Sequence, residues 1–335
     1  MSPLRNCILN KNTKAKPIWL MRQAGRYMPE FREIRKKNTN FIHLCLNEKL
    51  SYEITLQPIE KFDFDAAIIF SDILMVPYGL GQKVEFKKDF GPILGDLNIN
   101  LISKINKKNF TESLQPIYNS IQKVSKYTNQ KNKDLIGFVG APWTLLVYMI
   151  NKQSPKKNLD SKLFNNEKLI NEILGILDKY IKLHIENQVK SGANIIQIFD
   201  SWAELVEDKN LEKFIYNPTS SLVKYTKSLG VPVICFPRNI KNYKKYVEEV
   251  KPDVINIDYN VDPKLIKENI DIVIQGGLDP KILLSDLENV KNESLRYLNL
   301  FKDRPYIFNL GHGVLPETDP NNVDYLVKLV KDFKC

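Results

Sequence analysis

Short apolar runs rich in Val, Ile and Phe recur along the chain. They lie at residues 17–21 (PIWLM), 66–70 (AAIIF), 135–140 (LIGFVG), 194–199 (NIIQIF), 231–236 (VPVICF), 253–257 (DVINI), 271–276 (DIVIQG) and 305–310 (PYIFNL). Each is nearly continuous in apolar residues, the pattern of strands covered on both faces in a parallel sheet. The Lys- and Glu-rich stretches between them are long enough for helices. In residues 167–189, Leu169, Ile170, Ile173, Ile176, Leu177, Tyr180, Ile181, Ile185 and Val189 return at helical spacing. Residues 241–250 and 280–301 carry similar patterns. Eight strands alternating with helices predict an α/β chain, a (β/α)8 TIM-type barrel whose cleft lies at the C-terminal ends of its strands. The alternative, an open doubly wound sheet, usually carries a glycine-rich first turn, and none is found here.

Such a barrel takes about 250 residues, so 335 residues leave room for insertions. Residues 77–100, with Gly79, Gly81, Gly91, Pro92 and Gly95, read as a loop or hairpin over one mouth. No repeat, low-complexity tract or linker divides the chain, so residues 1–335 read as one domain, with the polar residues 1–15 as a flexible tail. That start lacks an apolar core and does not read as a signal peptide. No stretch of about 18 apolar residues predicts a membrane span, and the chain reads as cytoplasmic.

Composition adds little to this picture. The chain is 43% hydrophobic and 26% charged, as globular proteins are. Its net charge of +10 comes mostly from scattered lysines, whereas nucleic-acid binders concentrate such charge on one face or in runs. A polyanionic small substrate would feel a modest steering field. Cysteines at positions 7, 45, 235 and 335 have no C-x-x-C spacing, which supports neither a zinc knuckle nor a disulfide framework.

Chemistry in a barrel sits where the strands end, so the residues after each run are the informative ones. Arg22 and Arg26 follow the first run, four residues apart, with Ala24 and Gly25 between them. Small residues let a backbone approach a ligand closely. Guanidinium forks suit carboxylates or phosphates, gripped two oxygens at a time. Trp19, Met21, Tyr27 and Met28 add an apolar lining, so the segment suits a flat, hydrophobic ligand with many carboxylates. Ser71 and Asp72 follow the second run, residues 141–144 the third, Asp200 and Ser201 the fourth, and Pro237 and Arg238 the fifth. Asp258, Gly277 with Asp279, and then Gly311, His312 and Gly313 follow the rest. Asp72 and Ser201 are also placed to cap helices. Asp200, Asp258 and Asp279 suit caps or rim salt bridges, and His43 and His184 fall in helical stretches. No metal-ligand set emerges: H-E-x-x-H and His-x-Cys spacings are absent.

MRQAGRY (21–27) and GFVGAPWTLLVYM (137–149) resemble two signatures of the uroporphyrinogen decarboxylase family. The likeness continues at FSDIL (70–74), FDSWAE (199–204) and NLGHGVLPETDP (309–320), in the family's order. Two departures are visible: Glu204 stands where glycine is common, and Gly277 where asparagine is common.

The resemblance implies a carboxy-lyase of porphyrin and haem biosynthesis. It would convert the four acetate side chains of uroporphyrinogen III to methyl groups, giving coproporphyrinogen III and carbon dioxide, with no metal and no organic cofactor. It further implies a homodimer with facing clefts, and no nucleic-acid or membrane partner. By similarity Asp72 faces the centre of the macrocycle, where one carboxylate can accept hydrogen bonds from the pyrrole N–H groups and stabilise a cationic ring. Arg22 and Arg26 hold substrate carboxylates, the backbone through Gln23, Ala24 and Gly25 lines the pocket, and Tyr148, Ser201 and His312 bind side-arm carboxylates or polar edges. The proton donor stays open. The enzyme rival is a corrinoid-dependent methyltransferase, which shares the barrel but carries zinc-binding His and Cys ligands; Cys235 here has no nearby histidine in sequence.

Overall fold

The computed structural model describes residues 1–87, 90–155 and 166–335. Its strands are β1 (Ala66–Ile68), β2 (Val84–Lys87), β3 (Gly91–Leu94), β4 (Asp134–Gly140), β5 (Ile195–Asp200), β6 (Val233–Pro237), β7 (Val254–Ile257), β8 (Val273–Gly276) and β9 (Tyr306–Ile307). All but β2 and β3 form one parallel sheet in the order β1-β4-β5-β6-β7-β8-β9. Strands that neighbour in space as they follow in sequence, each joined by helices, curl into the TIM-type barrel.

Residues 17–21, expected as the first strand, close the barrel without forming a regular ladder. Ile18 makes one parallel bridge to Phe308. Phe308 N donates to Pro17 O at 2.8 Å, and Asp65 N donates to Ile18 O at 2.9 Å, so the segment is stitched between β9 and the entry to β1. Pro17 has no N–H to offer. Leu20 N and Met21 N instead donate to the side-chain oxygens of Gln23 and Asn309, each at 3.0 Å.

The outer layer follows the helical spacing. Glu48–Phe62, Lys107–Gln130, Glu167–Lys190, Leu287–Leu300 and Pro320–Asp332 are its longer helices. Their N-caps, Asn47, Asn106, Asn166, Asp286 and Asp319, each accept a hydrogen bond from a first-turn N–H. The apolar pattern at 280–301 is divided into a 3₁₀ turn, Pro280–Leu284, and the helix Leu287–Leu300, because Asp286 starts a new helix by capping it. The hairpin β2–β3 sits at the C-terminal rim. Phe86 packs 4.5 Å from Phe41, which in turn lies 5.7 Å from Phe70, just beyond β1.

Alternation along the strands sorts the barrel interior into layers. Ala66, Ile136, Ile195, Ile234, Val254, Val273 and Ile307 fill the lower layer. Above it lies a belt of fully buried amides. Trp19 Nε1 donates to Gln275 Oε1 at 2.9 Å, and Gln275 Nε2 to Asn256 Oδ1 at 2.7 Å. Phe138, Phe199 and Phe236 come next, with ring centroids 5.7 and 6.5 Å apart. Phe138 and Phe199 keep some exposed surface and form an apolar floor beneath the mouth.

Part of the expected flexible tail is instead the plug at the other end. Pro3–Leu9 is a helix whose Leu4, Cys7 and Ile8 join the interior cluster. Asp134 at the foot of β4 is fully buried and accepts hydrogen bonds from Ser2 Oγ (2.5 Å), Arg5 N (3.2 Å) and Arg5 Nε (2.7 Å). Lys16 follows, its ammonium donating to the carbonyls of Thr13, Lys302 and Arg304. The segment reads as polar by count, but Leu4, Cys7 and Ile8 share one helical face. Leu4→Ala is therefore expected to cost about 2–4 kcal/mol of unfolding free energy, read as a lower midpoint in a denaturant titration. A midpoint that does not move would mean that the plug carries no stability.

Candidate active site

The 22–26 segment is shaped by backbone constraint. Arg22 sits at φ 61°, a left-handed conformation that a non-glycine residue rarely adopts. Gln23 N donates back to Leu20 O at 3.0 Å, and Val314 N to Met21 O at 2.9 Å, which holds the turn. The turn lays the Arg22 side chain over the mouth and against Gly313. A Cβ at Gly313 would collide with Arg22 Cδ, and one at Gly25 would sit 2.9 Å from Arg22 O. Arg32 Nη1 donates to Arg26 O and Tyr27 O, both at 2.9 Å, and so latches the end of the loop.

Gln23 is drawn inward rather than towards the mouth. It is fully buried, and its amide joins Leu20 N to Ala66 O. Its carbonyl accepts from Tyr27 OH at 2.8 Å. The backbone through Gln23, expected to line the pocket, belongs to a fully buried residue whose polar groups are engaged inside the protein. Ala24 and Gly25 keep partial exposure at the surface of the loop.

Asp72 lies in the loop after β1. It does accept a backbone hydrogen bond, from Leu74 N at 2.8 Å, but the following helix is capped by Leu74. Burial raises the Asp72 pKa to about 6, against the lowering pull of the Leu74 N–H and of Arg22. Burial lowers the Arg22 pKa. Asp72 and Tyr148 oppose that shift, while Arg26 and Arg238 add to it. Arg22 is an exposed residue, its stem lies against Gly313, and its guanidinium is near enough to feel Asp72, Tyr148, Arg26 and Arg238. Burial likewise raises the Tyr148 hydroxyl, with Asp72 adding to the rise.

His312 is pushed down to about 4 by burial and by the charges of Arg22 and Arg238, so its imidazole is neutral near pH 7. Arg22 thus feels Asp72, Tyr148, Arg26 and Arg238, and His312 feels both Arg22 and Arg238, so these groups lie near one another at the C-terminal rim. Among the described residues no ion pair or side-chain hydrogen bond joins Arg22, Arg26 or Arg238 to the protein's own acids. Their forks stay available.

Ser201 follows Asp200 and keeps the inward parity of Gln197 and Phe199. Asp200 itself points the other way, into the helical layer. Its Oδ1 accepts from Thr144 Oγ1 at 2.6 Å, and burial raises its pKa to about 7. Thr144 Oγ1 accepts in turn from Trp202 N at 3.2 Å, which fixes the loop that carries Ser201. The Trp202 ring stands edge-on to Tyr148, with centroids 5.9 Å apart. Ser201 caps no helix: the next turn begins at Ala203, after Trp202. Cys235 also faces the helical layer, and burial pushes its thiol up to about 12, the opposite of a thiolate ligand. His184 is a core residue paired with Tyr118 OH at 2.9 Å. Asp279 caps its helical turn through Lys281 N. Arg238 is the residue that sequence reasoning noted at a strand end but left out of the site. The alternation Ile234, Phe236, Arg238 along β6 is the signal that could have placed it there.

The profile of the family described as Uroporphyrinogen decarboxylase (URO-D) matches residues 1–333. Proteins named uroporphyrinogen decarboxylase from Rickettsia bellii and Rickettsia felis are 40% and 38% identical to this chain. The alignments cover 95% of this chain and 95% of the first relative, and 97% and 96% for the second. Among solved structures, a methyltransferase from Methanosarcina mazei superposes with a TM-score of 0.74 over 98% of this chain and 97% of that one. At 14% identity it shares the fold alone.

Asp72 holds its proton more tightly in the folded chain than in the unfolded one, so its charge destabilises the fold. The cost begins near pH 4 and is full above about pH 6. Asp72→Asn is expected to raise unfolding free energy by roughly 2–3 kcal/mol at pH 8, with the gain shrinking towards pH 4. Thermal melts of both proteins across that range check it, and equal midpoints at pH 8 would refute the burial argument.

Proposed function

The chain belongs to the uroporphyrinogen decarboxylase family, and we propose that its rim cavity removes carbon dioxide from the four acetate side chains of uroporphyrinogen III, giving coproporphyrinogen III. The observation that carries the reading is a desolvated carboxyl group, Asp72, close enough to the unpaired guanidinium of Arg22 for each to feel the other's charge, at the rim above the inward-facing phenylalanines. Decarboxylation leaves an electron pair on the exocyclic carbon. A pyrrole protonated at a ring carbon can accept that pair; the exocyclic carbon is then protonated to a methyl group, and the ring carbon gives its proton back to restore the pyrrole. Asp72 accepts hydrogen bonds from the pyrrole N–H groups and stabilises the cationic ring. It is not consumed, so the same group serves four successive rings.

Arg22 and Arg26 hold side-arm carboxylates through charge-assisted bonds. Tyr148, Ser201 and neutral His312 supply uncharged polar contacts around the rim, and the Ala24–Gly25 backbone allows close approach. From the family likeness we also infer a homodimer with facing clefts, a cytoplasmic location, one barrel domain, and no metal or organic cofactor. Among the described residues no helix is long and apolar enough to cross a membrane.

Anaerobic incubation with uroporphyrinogen III, oxidation, and counting of the remaining carboxyl groups tests the reaction. The expected product has lost four. Asp72→Asn is expected to lose nearly all turnover while remaining folded; an active variant would sink the proposed charge stabilisation. Arg26→Lys keeps the charge but loses the fork. It is expected to lower kcat/KM about tenfold, and steady-state kinetics that match the unaltered protein would count against carboxylate clamping.

A further inference from the structure

We propose that Arg238 is a third carboxylate-binding arginine of this site, on the wall across the barrel from the 22–26 segment. The inference deepens the decarboxylase reading and rests on it. Residues 17–21 and β6 occupy the first and fifth positions around the barrel, so they face each other across the mouth. Along β6, Ile234 and Phe236 point into the barrel, and Arg238 continues that alternation just beyond the strand's last residue. Its charge reaches both Arg22 and His312. Arg238 is half-buried as a residue, and its guanidinium has no hydrogen bond or ion pair among the described residues. An arginine fork without a partner of its own is set up for an anion.

The loop around it is braced, which fixes the backbone that carries the fork. Arg238 N donates to Asp200 O at 3.0 Å, extending the β5–β6 ladder by one residue. Asn239 then turns the chain at φ 55°. Its N–H donates to Asp258 Oδ2 at 2.6 Å, and its side-chain amide to Glu204 Oε2 at 2.7 Å. Asp258 is locked by Tyr243 OH at 2.5 Å. Glu204, which stands where glycine is common in the family, thereby ties the β5 loop to the β6 loop beside the arginine. Asp258 Oδ1 is buried and has no hydrogen-bond partner. It is the acid whose carboxyl feels the Arg238 charge, without closing on it as an ion pair.

The ligand class follows from this placement. A macrocycle carrying anionic arms on every ring can present one ring's arms to Arg22 and Arg26 while an arm of the far ring reaches Arg238. Arg238 is then a positioning residue for the reacting ring, acting through the opposite end of the substrate, and it leaves the charge stabilisation by Asp72 untouched.

The test compares Arg238→Gln, Arg238→Lys and the unaltered protein in three measurements: kinetics with uroporphyrinogen III, binding of the non-reacting oxidised macrocycle uroporphyrin III, and thermal melting. Arg238→Gln is expected to weaken both KM and macrocycle binding roughly ten- to a hundredfold, with kcat changed less and the melting midpoint unmoved. Arg238→Lys is expected to recover part of the loss. Unchanged KM and unchanged macrocycle affinity in Arg238→Gln would overturn the assignment. So would a loss in both variants that tracks a fallen melting midpoint, because that would make the residue structural. If the unaltered protein fails to decarboxylate uroporphyrinogen III, the decarboxylase reading fails. The macrocycle-binding arm then still decides whether Arg238 holds a polycarboxylate.

Discussion

The site depends on opposite charges kept close enough to influence each other and too far apart to pair. Asp72 lowers the cost of the desolvated Arg22, and Arg22 lowers that of Asp72. Each is nonetheless left shifted against its charged form, because desolvation outweighs the partner. Closing the gap into a salt bridge would relieve both and would fill the cavity with protein. The backbone prevents it. Arg22 is fixed by its left-handed turn and by the Gly313 surface under its stem, and Asp72 by the Leu74 N–H. The charge stays unpaired for a ligand, and the cost falls on folding stability, as strain at functional sites commonly does.

The barrel beneath supplies the rigidity this needs. The amide belt of Trp19, Gln275 and Asn256 runs across the barrel between two apolar layers, and its fully buried members are hydrogen-bonded to one another. Asn309 carries the same logic upward. Its Oδ1 accepts from Met21 N and from Leu310 N, so the residue before Arg22 and the segment leading to His312 hang on one side chain. Gln23 repeats the device between Leu20 and Ala66. These amides occupy positions where a regular first strand would have made ladder bonds. Their side chains therefore set the aim of the arginines more tightly than a loop could.

Much of this was legible in the sequence, and the misses have physical reasons. Strand runs were readable because parallel strands covered on both faces are apolar without alternation. Arg22, Arg26, Asp72, Tyr148, Ser201 and His312 stood next to those runs or in the family signatures, and the family likeness spans almost the whole chain. The single-bridge character of 17–21 was not legible, because its apolar composition says nothing about which partner satisfies each N–H. The plug was hidden by counting polarity along 1–15 rather than by face. The inward turn of the Gln23 side chain was not legible, because only the three-dimensional path shows its amide joining Leu20 to Ala66. Arg238 lacked a signature motif, and its relevance comes from facing Arg22 across the barrel.

The charge census of the cavity limits what can happen there. With His312 neutral near pH 7, the named groups are three guanidiniums against Asp72, readily ionised only above about pH 6, and Asp258, whose carboxyl feels Arg238. Among these groups positive charge is in excess. A substrate bearing many carboxylates neutralises the guanidiniums on arrival and, taken alone, would push Asp72 further towards its protonated form. In the proposed reaction the pyrrole N–H groups and the positive charge gathering on the ring act in the opposite sense, holding Asp72 ionised at the moment when its charge is needed. The acid is thus poised so that its ionisation and the ring's protonation favour each other. Arms anchored at both walls keep the macrocycle centred, so that the two remain in register through successive acetates.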